Sequence, residues 1–200
     1  MDTTFSLEFD KLLSKELCDH IIRKFENDNR KVPGTVGFGM SVARPDLKKS
    51  TDLCLNDLED WKDICHEIRL RVKRGLQKYL AELNAIFKNT DHPDVYHDIT
   101  NKDFFDDGIV IQKIDENNKY AWHHDETIDK TSRSLFNVLI YLNTKQEGEG
   151  GATQFANGKI IKPECGKMLI FPANWMCPHR GNKVNKGSKY ICTLGLFYEL

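Results

Sequence analysis

Four consecutive side chains in Tyr120-Ala121-Trp122-His123-His124-Asp125-Glu126 can each donate to a metal ion. Residues i and i+2 of an extended strand share a face, so His123 can act with Asp125, or His124 with Glu126. A slip of one residue exchanges the two pairs, and only one pair can point inward. A third ligand from a distant strand would complete a set of two histidines and one carboxylate. Such a set leaves positions open on the metal, as Fe(II) needs to take both a chelating oxo-acid and dioxygen. His179, in Trp175-Met176-Cys177-Pro178-His179-Arg180-Gly181, is the natural third donor. The same donors suit Zn(II) and hydrolysis, so the residues alone leave that reading open. The other histidines read as structural or solvated, His20 and His66 in helical segments and His92 and His97 in a polar connection.

These donors need a scaffold, and the hydrophobic pattern supplies one. Ser14 caps a predicted helix through Cys18, Ile21 and Ile22 to Phe25. A second helix is predicted over about 58–87, where Trp61, Ile64, Cys65, Ile68, Val72, Leu76, Tyr79, Leu80 and Leu83 recur at helical spacing. Between them, residues 35–42 read as a glycine-weakened strand, and the loop Pro45–Ser50 reads as mobile. From Gly108 onward, short strands are expected at 108–114, 120–125, 135–142, 152–155, 159–162, 167–171, 176–180 and 189–198. Asn157-Gly158 marks a tight hairpin among them. Strands without intervening helices imply an antiparallel sandwich or barrel, and the helices then form a layer on it.

Bulk properties narrow the function classes. The 200 residues fit one domain, with 1–105 as mainly helical support and 106–200 as the core that carries the chemistry. The net charge of -1, from 29 basic and 30 acidic residues, argues against a dedicated nucleic-acid binder. The first residues show no basic stretch followed by an apolar run, so no secretory signal is expected, and no apolar run reaches membrane length. The six cysteines form no CxxC pair, which reads as reduced, mostly buried thiols in a cytoplasmic protein. Cys177 stands apart because it lies two residues from His179.

An ordered series of short motifs then carries a resemblance. Tyr120 precedes His123 as in Y-x-x-H-x-D; Leu139-Ile140-Tyr141-Leu142-Asn143 is similar to an "IYLN" strand. Gly150-Gly151-Ala152-Thr153-Gln154-Phe155 is similar to "GGxTxF", and Pro163 to Phe171 to a "P..G..l.F" segment. His179 and Gly187-Ser188-Lys189-Tyr190 close the series. From Gly108 to Leu200 the chain resembles the prolyl 4-hydroxylase branch of the 2-oxoglutarate- and Fe(II)-dependent dioxygenases.

The resemblance implies an α+β fold: a double-stranded β-helix (jelly-roll) core of about eight strands, with N-terminal helices packed on one sheet. It implies His123, Asp125 and His179 as metal ligands, with His124 facing away. Lys189, ten positions past His179, would take the distal carboxylate of 2-oxoglutarate. Tyr141 and Thr153 are further contacts for that co-substrate, and Tyr120, Trp122 and Arg180 are expected along the substrate groove. The implied cofactors are Fe(II), 2-oxoglutarate and O2, with ascorbate as an auxiliary, and the implied substrate is a prolyl or other residue in a peptide or protein. Two departures leave prolyl specificity open: Gly195 stands where many of these enzymes carry tryptophan, and Ile114 where a tyrosine is frequent. Rival readings are a catalytically silent jelly-roll binding module and an oxygenase acting on a free small molecule or nucleobase.

Overall fold

The computed structural model describes residues 5–37, 42–87, 99, 103–128 and 131–199. The chain enters through strand β1 (Leu7–Phe9) and helix α1 (Lys15–Glu26). Ser14 caps α1 by accepting from the Leu17 N–H at 3.2 Å, and Cys18, Ile21 and Phe25 form its buried face. Strands β2 (Val32–Pro33) and β3 (Thr51–Cys54) follow, then a 3-10 turn at Glu59–Trp61 and helix α2 (Lys62–Phe87). The stripe from Trp61 to Leu83 is buried apart from the partly covered Leu80, as three- and four-residue spacing on one helix face requires. No helix among the described residues is long and apolar enough to cross a membrane.

The remaining strands are β4 (Phe105–Asp106), β5 (Val110–Ile114), β6 (Tyr120–His123), β7 (Ser132–Tyr141), β8 (Thr153–Phe155), β9 (Ile160–Ile161), β10 (Met168–Pro172), β11 (His179–Gly181) and β12 (Lys189–Glu199). A major antiparallel sheet runs β1-β10-β7-β12-β5-β3-β2, with β4 pairing to β12. A minor sheet runs β6-β11-β8-β9. The expected jelly-roll core with helices on one sheet is what the chain adopts. Asn157-Gly158 turns the β8–β9 hairpin, with Gly158 at φ +93° and the Phe155 N–H donating to the Lys159 carbonyl at 2.9 Å.

Side-chain alternation divides the major sheet cleanly. Phe136, Val138 and Ile140 of β7, Met168 and Ile170 of β10, and Cys192, Leu194 and Leu196 of β12 pack with the helices. Their neighbours Leu139, Tyr141, Leu169, Phe171 and Ile191 face inward, toward Phe155, Ile161 and Cys177 of the minor-sheet side. The inner faces of the two sheets therefore enclose the site, while the helices stiffen the outer face of the major sheet.

Some features of the first half differ from expectation. Besides helices it supplies β1, β2 and β3 to the major sheet. These strands are two to four residues long, too short for a periodic signal; β10 sets the register of β1, β5 that of β3, and β3 that of β2. In the expected strand at 35–42, Val36 and Val42 make one isolated bridge; residues 38–41 lie outside the described residues, as do His92 and His97. The Pro45–Ser50 loop, expected to be mobile, is pinned instead. Leu47 accepts from the Ala121 N–H at 2.8 Å, and the buried Lys48 bridges to Tyr120 and pairs with Asp52 at 2.8 Å. This segment covers the edge of β6.

Candidate active site

The site is assembled by pairing β6 with β11, which sets His123 directly opposite His179. Each imidazole Nδ1 lies against the carbonyl two residues earlier: His123 against Ala121 at 2.8 Å, His179 against Cys177 at 3.1 Å. A carbonyl only accepts, so Nδ1 carries the proton and the Nε2 lone pair turns toward the partner strand. Asp125 lies just past β6, its N–H donating to the Ala173 carbonyl at 3.0 Å. Its Oδ1 lies 3.5 Å from His123 Nε2, and its Oδ2 lies 3.3 Å from His179 Nε2. Burial, with His179 alongside, pushes His123 down to about 4, which keeps the ring neutral and able to ligate.

These three residues form the group able to hold a metal among the described residues. The alternative pair is turned away: His124 is exposed, and Glu126 is bound to Arg133 at 2.6 Å. The His20 and His66 side chains lie exposed on the helices. Two imidazole nitrogens and a carboxylate on one side of a cavity are a donor set suited to Fe(II) with positions left open.

Two supports surround the triad. The Tyr120 ring stacks on His123, centroids 3.6 Å apart and 16° between planes. Asn137, on the inner face of β7, donates through Nδ2 to Asp125 Oδ2, and its own Oδ1 accepts from Thr193 Oγ1 at 3.4 Å. Sequence reasoning missed Asn137, although a lone amide inside Leu135-Phe136-Asn137-Val138-Leu139 was a readable signal. It also missed Lys48, which lines the cavity from the pinned loop.

The triad lines a cavity of about 150 Å³. Lys189, only 4% exposed, shares that cavity with Thr153 and Ile191. Its position follows from parity, since residues 189, 191 and 193 of β12 face inward. Among the described residues no carboxylate or carbonyl pairs with its ammonium, and burial alone pushes it down to about 8. The Tyr141 ring lies 5.4 Å from the Lys189 Nζ, and its hydroxyl donates to Thr153 Oγ1 at 2.7 Å. Thr153 thus lines the cavity while Tyr141 backs it.

Trp122 and Arg180 are brought together, the guanidinium 4.8 Å from the indole, but elsewhere. They alternate with His123 and His179 on their strands, so they occupy the opposite face of the minor sheet, with Lys119 and Lys183 nearby.

A mainly antiparallel two-sheet fold with a His-Asp-His triad between its sheets has counterparts among known proteins. Residues 109–196 match the model of the 2OG-Fe(II) oxygenase superfamily. A PKHD-type hydroxylase of Prochlorococcus marinus (strain AS9601) is 26% identical over 164 residues, covering 73% of this chain and 67% of the relative. Among solved structures, the viral collagen prolyl hydroxylase of Paramecium Bursaria Chlorella virus-1, in complex with 2-oxoglutarate, superposes with TM-score 0.66 at 18% identity over 98% of both chains. The Trichoplax adhaerens prolyl hydroxylase, in complex with a hypoxia inducible factor peptide fragment, gives 0.71 at 14% identity, covering 98% of this chain and 84% of that one. Over residues 109–196 the chain resembles the 2OG-Fe(II) oxygenase superfamily, and its fold is similar to that of prolyl 4-hydroxylase-like enzymes.

Proposed function

We propose that the chain hydroxylates a C–H bond of a residue in a peptide or protein, with a prolyl residue as the leading class, while converting 2-oxoglutarate and O2 to succinate and CO2. One oxygen atom enters the product and the other enters succinate, so the reaction is balanced without another reductant; ascorbate would serve only to maintain the metal. Residues 1–105 and 106–200 would act as one domain, since strands from both halves share the major sheet. The observation that carries this reading is Lys189, a buried ammonium with no carboxylate or carbonyl partner among the described residues, facing the same cavity as the triad.

His123, Asp125 and His179 would hold Fe(II), which supplies activation of dioxygen when bound. The residues themselves bind, orient and exclude water. Lys189 would pair with the distal carboxylate of 2-oxoglutarate, drawing the oxo-acid to a fixed depth. Thr153, held by Tyr141, would add a hydroxyl to that contact. Leu139, Ile114 and Ile191 give the cavity apolar walls, which strengthen the ion pair by keeping water out. The Trichoplax relative is seen with a peptide, which supports a peptide as the substrate here.

The test is succinate formation after anaerobic Fe(II) loading and admission of air, with proline-containing peptides screened by mass spectrometry for one added oxygen. Free amino acids and nucleosides are the controls. Failure to bind 2-oxoglutarate, together with no turnover on any substrate, sinks the oxygenase reading and leaves the silent binding module.

A further inference from the structure

A second cavity of about 300 Å³ adjoins the first and shares Tyr120, Asp125 and Asn137 with it. It leads away from Lys189 toward Asp107, and it includes Gly195. Asp107 is firmly built. Its Oδ1 accepts from the Gly195 N–H at 2.7 Å, its N–H donates to the Gly195 carbonyl at 3.3 Å, and its carbonyl accepts from Asn56 at 3.2 Å. Nearby charges are already committed: Arg69 holds Asp106 at 2.8 Å, and Arg133 holds Glu126. Asp107 itself has no cationic partner among the described residues.

Gly195 and Asp107 depend on one another. A Cβ at position 195 would stand 2.8 Å from the Phe197 ring and 3.1 Å from Asp107 Oδ2. A side chain there would crowd the carboxylate and narrow the cavity. This is the position where the related prolyl 4-hydroxylases often carry tryptophan, so the departure noted in the sequence has a structural consequence. It leaves open space beside the Asp107 carboxylate where those enzymes often carry an aromatic ring.

We infer that this second arm is the substrate-specificity pocket and receives a positively charged side chain, paired with Asp107, beside the C–H to be hydroxylated. The inference rests on the oxygenase reading above and assigns the substrate class of the same site. The two arms would then sort their occupants by charge, the dicarboxylate toward Lys189 and the cation toward Asp107, with the metal ligands between. A lysyl or arginyl side chain, in or next to the hydroxylated residue, meets this description.

The experiment uses the full chain with Fe(II) and 2-oxoglutarate under nitrogen, where peptides bind without turnover. Two matched series of short proline-centred peptides carry either lysine or its uncharged isostere norleucine beside the proline, and calorimetry measures their affinities. The lysine series should bind at least 10-fold more tightly. Asp107→Asn should bring the two series within about 2-fold, and Asp107→Lys should reverse the preference so that the norleucine series binds more tightly than the lysine series. Gly195→Ala supplies an independent variant should the changes at 107 disturb folding, and it should also erode the preference. The readout is a ratio within each variant, so a general loss of affinity does not mimic it. Equal binding of the two series, binding of neither, or a lysine preference that survives both Asp107→Asn and Gly195→Ala overturns the inference. Loss of 2-oxoglutarate binding in the unaltered protein would instead overturn the oxygenase reading, and the two failures are therefore distinct.

Discussion

His123 and His179 are register partners across the β6–β11 ladder, their rings 4.2 Å apart between centroids. Because both lie in paired strands, their separation is fixed by backbone hydrogen bonds rather than by side-chain adaptation. Asp125 closes the triangle from the residue just beyond the ladder.

That geometry decides which carboxylate matters. Asp125→Ala should weaken Fe(II) or Mn(II) binding by more than roughly 100-fold, since a ligand must cost at least as much as the residues that support it. Glu126→Ala only releases Arg133, so metal affinity should stay within about 2-fold of the parent. Metal titration by calorimetry checks both, and the reverse pattern would mean that His124 and Glu126 are the ligands.

Asn137→Ala removes the donor to Asp125 Oδ2 without touching the metal position. Metal affinity should fall roughly 10- to 100-fold. Asn137→Asp keeps the size and puts a second negative charge beside Asp125. Loss in the alanine variant without rescue by added metal would point to a collapsed fold, which circular dichroism would reveal.

Lys189→Met should raise the dissociation constant for 2-oxoglutarate by roughly 10- to 100-fold, the worth of a charge-assisted contact. The same change should stabilise the ligand-free protein by up to about 3 kcal/mol, because a buried ammonium without a partner opposes folding. A thermal melt beside a binding titration tests the pair. A lower melting temperature with unchanged 2-oxoglutarate affinity contradicts the assignment.

The pH dependence follows from the same lysine. Its folded value, about 8, lies below its ordinary 10.5, so the unfolded chain holds the proton more firmly. Its contribution to stability of the ligand-free protein therefore rises as pH climbs from about 8 to 10.5. Affinity for 2-oxoglutarate should move the other way, falling over that window as the cation is lost. Titrations at pH 7 and pH 9.5 on parent and Lys189→Met proteins isolate the effect, which should vanish in the variant.

Gly166→Ala tests how the N-terminal segment is held to the barrel. Gly166 sits at φ +80°, and an added Cβ would stand 2.1 Å from the Leu13 carbonyl oxygen. Its own carbonyl accepts from the Leu12 N–H at 2.8 Å, so the clash falls on the joint before α1. A loss of about 2–3 kcal/mol is expected in denaturant unfolding. A loss below about 0.5 kcal/mol would mean that this joint yields without cost.

Much of the molecule was legible in the chain. The eight strands after Gly108, both helices and the α1 cap all showed in residue periodicity and capping chemistry, which are local properties. The candidate ligands were legible as His-x-Asp plus a distant histidine; the family resemblance favoured His123/Asp125 over His124/Glu126, and which pair turns inward depends on the tertiary structure. The pairing of β6 with β11, a long-range fact, sets His123 opposite His179 beside Asp125, while the tie from Glu126 to Arg133, only seven residues on, holds Glu126 away. Tertiary structure also turned Trp122 and Arg180 to the far face, brought Asn137 onto Asp125 and pinned Lys48 beneath Tyr120. The sequence by itself determined which residue types could do the chemistry and the strand periodicity that carries them. Only the closed double sheet decided where two buried or cavity-lining charges went, placing Lys189 at one arm of the site and Asp107 at the other, because sheet pairing joins residues by register and not by their distance along the chain.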